Sequence, residues 1–251
     1  MSNAPWYTTF FGQDYLRIYA PLLPAERTAR EVDGIVSLLG LPTGRSILDL
    51  CCGHGRHTLA LAQRGYQMTG QDLSEVFLHE AQAQAVTQQV QVRWVQSDMR
   101  TIPFAKEFDA VINIFTAFGY LENEVEDQKV LQQVYQALKP GGLFLMELVH
   151  RDGLMRHYAP HAISHAPDGL MVLEERTFDL LTSRNEVVMT MLTSEGQRAE
   201  YRHSLRIYTL TELAHMLIEA GLQVQVYASD WDGSALTMES FRLILLSQKS
   251  G

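Results

Sequence analysis

Short apolar runs, each bounded by turn residues, alternate along the first 150 positions with stretches in which apolar residues recur every three or four places. The former read as buried strands and the latter as helices packed by one face. Ser46–Leu50 (SILDL) is the first strand-like run. It is followed by a turn with Gly53 and Gly55, a helical run from Thr58 to Gln63 stopped by Gly65, and a strand from Tyr66 to Gly70 that leads to Asp72. Upstream, Pro24 opens a predicted helix over Ala25–Leu39, with Val32, Ile35, Val36 and Leu39 on one face and Gly40 and Pro42 closing it. Residues 1–23 are dense in aromatics, and the spacing of Phe11, Tyr15, Ile18 and Leu22 predicts one short amphipathic helix, either docked on the core or lying as a lid over a site.

Downstream, Ser74–Thr87 reads as a helix with Ser74 as N-cap, and Val90–Val95 and Phe108–Phe115 read as strands. A helix is predicted from Glu122 to Leu138, with Val125, Val130, Leu131, Val134 and Leu138 inside. Lys139-Pro140-Gly141-Gly142 breaks it, and Leu143–Val149 forms a strand ending at His150. Strands alternating with helices in this way predict βαβ units around a parallel sheet covered on both faces. From Arg151 the helices stop. Leu170–Phe178, Glu186–Leu192 and Glu200–Ile207 predict three antiparallel strands, turning at Asp168-Gly169 and Ser194-Glu195-Gly196. Thr209 and Glu212 are spaced as a capping box for a helix to Ala220, stopped by Gly221, and Leu222–Tyr227 and Phe241–Leu246 are the last strands. The expected division is therefore a helical lid and first helix (1–45), a nucleotide-cofactor domain (46–150 and 208–251), and a β insertion (151–207) that supplies an acceptor-side wall or a dimer surface.

With 251 residues, 46% hydrophobic and 20% charged, the chain has the composition of an ordinary globular protein. Its net charge of −9 and lack of Lys/Arg runs argue against a nucleic-acid or anionic-membrane surface. No apolar stretch approaches the roughly 18 residues of a membrane span, and no signal pattern opens the chain. The two cysteines, Cys51 and Cys52, are adjacent and unsuited to pairing with each other, so a reduced, cytoplasmic protein is expected. Cys51 and Cys52 leave the strand on opposite faces, so they do not converge with His54 and His57 on a metal, and none is expected.

The strand–turn–helix–strand–acid unit of Ser46–Asp72 is one that binds nucleotide-like cofactors. Thr58 stands where a dinucleotide site has its third glycine, and no Gly-Lys-Ser/Thr of an ATP site is present. Asp49-x-Cys51-x-Gly53-x-Gly55 instead pairs an acid at the strand end with glycines at every second place, cysteine occupying the first of them. Together with Asp72, 23 residues after Asp49, the turn Ser97-Asp98-Met99, the run FDAVINIFTAFGYLE and the block LKPGGLFLMEL, this resembles the class I S-adenosylmethionine-dependent methyltransferases. Asp230-Trp231-Asp232-Gly233 followed by SFRLILLSQK is similar to a small-molecule-type subgroup with a β insertion before the last helix.

The resemblance implies an α/β, doubly wound, mostly parallel seven-stranded Rossmann-like sheet with an antiparallel β insertion. It further implies S-adenosylmethionine as methyl donor to a small-molecule acceptor, S-adenosylhomocysteine as product, and leaves a homodimer open. Asp72, with Leu73 beside it, would meet the ribose hydroxyls, Asp98 and Met99 the adenine, and Asp49 the methionine amino group. Backbone at Cys51, Gly53 and Gly55 would approach the cofactor closely, since no phosphate needs a lysine. Arg56 would meet the methionine carboxylate, and Phe115 and Tyr19 would wall the cofactor. Tyr15, Phe118 and Tyr120 would shape the substrate pocket. His150, at the end of the fifth strand, is the candidate general base if the acceptor must lose a proton. Two other readings stay open: a cofactor-binding regulator without turnover, and a nicotinamide oxidoreductase, which Thr58 disfavours.

Overall fold

In the computed structural model, which describes residues 5–166 and 168–250, the hydrophobic run Ser46–Leu50 is β1 at the middle of a seven-stranded sheet. Residues 1–4 of the expected lid lie outside the described residues. β1 pairs in parallel with β2 (Gln67–Asp72) on one side and β4 (Phe108–Asn113) on the other. β3 (Arg93–Gln96) extends the sheet beyond β2, and β5 (Leu138–Val149) lies beyond β4, both parallel. β11 (Arg242–Lys249) runs antiparallel between β5 and β10 (Leu222–Ala228), giving the order β10-β11-β5-β4-β1-β2-β3. The strand alternation separates the core into two layers. Ile47, Ala110 and Ile112 face α3 (Ala25–Leu39) and α4 (Arg56–Gln63), whereas Leu48, Leu50 and Val111 face α6 (Glu124–Ala137) and α8 (Leu210–Glu219). α5 (Glu75–Thr87) starts at Ser74, whose hydroxyl caps it by accepting from Phe77 N–H, and α8 starts at the expected capping box of Thr209 and Glu212.

Four details depart from the sequence pattern. The predicted amphipathic helix is broken into α1 (Tyr7–Phe10), α2 (Gln13–Tyr19) and a 3-10 turn (Ala20–Leu22). Gly12 is extended there, which frees the Phe11 carbonyl to accept from the Ser74 hydroxyl at 2.8 Å and leaves Leu22 exposed. Val125 is 67% exposed, because it lies in the first turn of α6 on the side away from the sheet. Lys139–Gly142 ends α6 but belongs to β5, where Gly141 adopts φ +73° and an irregularity shifts the register against β4. The insertion carries a short helix, α7 (Arg151–Arg156), and four strands rather than three: β6 (His161–His165), β7 (Met171–Asp179), β8 (Arg184–Leu192) and β9 (Arg198–Arg206), each antiparallel to the next. β6 escapes detection because its sequence, HAISH, is an exposed edge with no buried alternation.

Close backbone approach is needed at Gly34 of α3. A Cβ there would lie 2.4 Å from the Trp231 Cβ and 2.8 Å from its carbonyl oxygen. Gly34→Ala is therefore expected to lower stability by ~1–3 kcal/mol in urea unfolding, despite the better helix propensity of alanine. A variant as stable as the parent would show that this contact relaxes freely.

Candidate functional site

The carboxyl ends of β1, β2 and β4 open on one side of the sheet, where open α/β folds place ligands. Directly after β1, Cys51, Gly53 and Gly55 all take left-handed backbone, with φ of +62°, +58° and +82°. Cysteine thus occupies a conformation that favours glycine, at a local cost of ~1–2 kcal/mol. A Cβ on Gly53 would meet nothing within 4 Å, whereas one on Gly55 would lie 2.9 Å from the Trp94 ring. The first glycine leaves open space for a ligand to approach the backbone, and the second admits Trp94 against the turn. The turn lines a cavity of about 560 Å³, into which Asp49, Cys51, Arg56, Asp72, Leu73 and Asp98 also project, with Met99 and Phe115 in the wall.

Asp72, at the end of β2, accepts from Gly53 N–H at 2.8 Å and from Ser74 N–H at 2.9 Å. Burial raises its pKa, and these backbone bonds oppose the rise. Asp49 is fully buried and accepts from the Thr58 hydroxyl at 2.5 Å, so the residue in the third-glycine place orients the first acid. Burial outweighs that bond and pushes the Asp49 carboxyl up to about 7.

Arg56, at the start of α4, is held from behind. Its Nη1 bonds the Thr28 hydroxyl at 3.2 Å and the buried Glu31 carboxylate, which also accepts from Arg27 and from His57 Nε2, each at 2.9 Å. Its Nη2 is buried without a partner. The guanidinium stacks over Phe115, 5.5 Å from the ring centroid. Asp98 has both oxygens on Arg100, at 2.7 and 3.0 Å; burial raises its pKa, and the Arg100 bonds override this to leave it low. Met99 meets Cys51 sulfur to sulfur at 3.6 Å. Burial also pushes the Cys51 and Cys52 thiols well up, with the Asp72 charge adding to it, so neither is an activated thiolate. No cluster of three or more metal-ligating side chains occurs among the described residues.

Phe115 and Thr116, which follow β4, also adopt positive φ (+69° and +54°). Glu147 on β5 pins this turn: its carboxylate accepts from Phe115 N–H at 2.6 Å and from Arg242 Nε at 3.0 Å, and its carbonyl accepts from Thr116 N–H at 3.0 Å. The pinned turn separates the first cavity from a second, of about 530 Å³, and Tyr15, Phe115, Thr116 and Tyr120 line both. The second cavity is bounded by Phe10 and Tyr19 from the N-terminal helices, by His203 and Leu205 from β9, and by Asp230 and Arg242 near the chain's end.

Three residues singled out in the sequence sit elsewhere than expected. Tyr19 lines the second cavity and not the first, because α2 turns its last residue past Tyr15. Phe118 lines neither; it is 2% exposed and packs on Tyr208 in the core, since Gly119 bends the chain and turns Tyr120 to the cavities instead. His150 also lines neither. It is buried, with Nδ1 2.8 Å from the Ser240 carbonyl oxygen, at the position just before α7, so no acceptor-facing base is found there. Sequence reasoning missed Glu31, Glu147 and Trp94. No motif marks them; a charged residue on the apolar face of a predicted helix or strand was the one available signal for the two glutamates.

Residues 47–142 match the family described as a methyltransferase domain. The chain is 30% identical over 215 residues to a putative methyltransferase, YqeM, of Bacillus subtilis, covering 84% of this chain and 86% of that one. Among solved structures it is similar to an S-adenosylmethionine-dependent methyltransferase from Clostridium acetobutylicum (TM-score 0.83, 19% identity, 95% and 98% of the two chains). It is also similar to CalS10 of Micromonospora echinaspora, an amino pentose methyltransferase solved with its methyl donor bound (TM-score 0.70, 22% identity, 95% and 97%).

Proposed function

Since this chain belongs to the class I S-adenosylmethionine-dependent methyltransferases, we propose that the first cavity holds the methyl donor and the second admits a small-molecule acceptor. The observation that carries this is the unpartnered Arg56 Nη2 in the wall of a cavity that also bears Asp49 and Asp72. A buried guanidinium with one of its two amino groups left unpaired, beside two buried carboxylates, is complementary to an amino-acid end, with its carboxylate and ammonium, joined to a vicinal diol. Arg56 takes the carboxylate, Asp49 the ammonium and Asp72 the ribose hydroxyls. Cys51 and Gly53 give backbone approach beside Leu73, while Gly55, expected from the sequence to do the same, instead makes room for the Trp94 ring behind the turn. Asp98 and Met99 border the adenine, with Arg100 fixing the Asp98 carboxylate. Phe115, under the Arg56 guanidinium, closes the wall toward the acceptor.

The cofactor supplies a methyl group already activated by its sulfonium. The chain's residues orient the acceptor and exclude water, effects that together lower a barrier by up to ~7–11 kcal/mol. Tyr15 and Tyr120, which face both cavities, border the passage between donor and acceptor and, with Phe115, present aromatic faces to a sulfonium. The insertion is the acceptor-side wall in this reading, supported by His203 and Leu205 of β9 at the second cavity. A small polar acceptor also accords with the amino pentose named for one structural neighbour. Transfer of tritiated methyl from S-adenosylmethionine, assayed over a panel of small amines and alcohols, tests this; no incorporation into any acceptor despite tight S-adenosylhomocysteine binding would favour a regulatory role.

The assignment of Asp49 has a pH signature. An ammonium group binds the ionised carboxylate, so affinity is lost as pH falls through the Asp49 pKa of about 7. S-adenosylhomocysteine is expected to bind roughly tenfold more weakly at about pH 6 than at about pH 8. Calorimetry in two buffers of different ionisation heat reads both this loss and the proton released on binding. A flat profile would remove Asp49 from the amino-group contact.

A further inference from the structure

The second cavity is electrically closed. Glu147 and Asp230 are both paired to Arg242, and Arg27 is paired to Glu31, so each charged side chain lining it already has a counter-ion within the protein. An acceptor carrying a carboxylate or phosphate would find no free cation there among the described residues. One nitrogenous side chain in the lining is unsatisfied. His203 lies on the face of β9 that carries Tyr201 and Leu205, and Tyr201 fixes that face to the N-terminal helices through its hydrogen bond to Asp14. Phe10 and Trp6 pack against the imidazole, with ring centroids at 4.8 and 6.1 Å, and its Nδ1 is buried without any hydrogen-bond partner.

An unpaired nitrogen among aromatic rings costs ~1–3 kcal/mol unless something entering the cavity satisfies it. Burial, with the nearby Arg176 charge adding to it, pushes the imidazole down to about 4, so the ring is neutral near pH 7 and carries one lone pair and one N–H. In the tautomer that leaves the lone pair on the unpartnered Nδ1, the ring, set beside aromatic walls and the hydroxyl-bearing rings of Tyr15, Tyr19 and Tyr120, selects a neutral group with a hydrogen to donate.

We propose that His203 is an acceptor-binding residue: its imidazole receives a hydrogen bond from an N–H or O–H of an uncharged acceptor, an amine in its free-base form or an alcohol, seated in the second cavity. The inference rests on the first cavity being the cofactor site. It places the selection of acceptor in the insertion, outside the strand ends that carry the cofactor motifs.

The test uses the full chain saturated with S-adenosylhomocysteine, titrated with aniline and with toluene, which match in shape and differ in the N–H donor. For the parent protein, aniline is expected to shift the His203 ring-nitrogen resonances while toluene does not. The ratio of aniline to toluene affinity is expected to fall about fivefold in His203→Phe and to recover in part in His203→Gln, which restores a hydrogen-bond acceptor. S-adenosylhomocysteine affinity is expected to be unchanged in both variants. An unaltered ratio in His203→Phe, immobile ring resonances, or no aniline binding to the loaded protein would overturn the assignment of His203 and leave the cofactor site standing. Failure of S-adenosylhomocysteine itself to bind would overturn the cofactor reading and this inference with it.

Discussion

Asp72→Ala is expected to weaken S-adenosylhomocysteine binding by roughly two to four orders of magnitude, read by calorimetry near neutral pH. Two ribose hydroxyls donating to one carboxylate make two charge-assisted bonds, each contributing about 1.5–3 kcal/mol, and truncation removes both. The same carboxylate accepts from Gly53 N–H and Ser74 N–H, so the alanine variant also loosens the glycine turn and the start of α5. Asp72→Asn separates the two effects. Its amide oxygen still accepts one backbone bond and fills the same space, but the charge is gone and the amide nitrogen cannot accept the other, so affinity should fall with a smaller loss of stability than in the alanine variant. Unfolding of the ligand-free variants in urea checks the second half of that statement. Affinity equal to the parent in a folded Asp72→Ala would remove the ribose contact altogether.

The largest stability effect is expected at Glu31. This carboxylate is 4% exposed on α3 and receives hydrogen bonds from Arg27, Arg56 and His57. Taking it away leaves Arg56, itself largely buried, with the Thr28 hydroxyl as its remaining partner. Removing one member of a buried charge network costs ~3–5 kcal/mol, because the remaining charge stays out of water without compensation. Glu31→Ala should lose that much in urea unfolding and should also weaken S-adenosylhomocysteine, since Arg56 then loses the carboxylate that aims it and keeps only the Thr28 hydroxyl and the Phe115 ring. A variant as stable as the parent would show that the Arg56 charge is relieved by other means.

The same network gives the protein an acid limit. Burial would raise the Glu31 carboxyl, but the His57 hydrogen bond and the Arg56 charge outweigh it and hold it well below 4.5. A depressed acid contributes stability that is complete above its unfolded value and is lost as pH falls below it. Burial also lowers His57 from 6.5 to about 4, so the unfolded chain takes up that proton first as pH falls. Through these two groups stability should decline from about pH 6.5 downward, with Glu31 adding to the loss below about pH 4.5, whereas Asp49, raised to about 7, contributes in the opposite sense as it takes up its proton. In Glu31→Ala the Glu31 share of that decline disappears.

The parts of this protein written in local sequence are those with a local cause. Period and turn residues place β1, β2, β4, α3, α5 and α8, because a strand's alternation, a capping hydroxyl at Ser74 and a capping box at Thr209 act within a few residues of themselves. The order of Asp49, the Gly53–Gly55 turn and Asp72 is local in the same sense, and together with Thr58, the absent Gly-Lys-Ser/Thr and the downstream Ser97-Asp98-Met99 turn it separates a methyl-donor site from a dinucleotide or ATP site. Where a side chain points depends instead on what packs against it from elsewhere. Nothing near Phe118, Tyr19 or His150 in sequence says that the first faces Tyr208, the second a cavity beyond the cofactor's, and the third the Ser240 carbonyl. Nor does Arg56 announce that a glutamate 25 residues upstream occupies one of its amino groups and leaves the other unpaired. The second cavity is the extreme case, because Phe10, Phe115, Glu147, His203 and Asp230 come from five separate segments of chain. Its volume and its paired charges exist only once those segments meet, and no local pattern of residues encodes the distances between them.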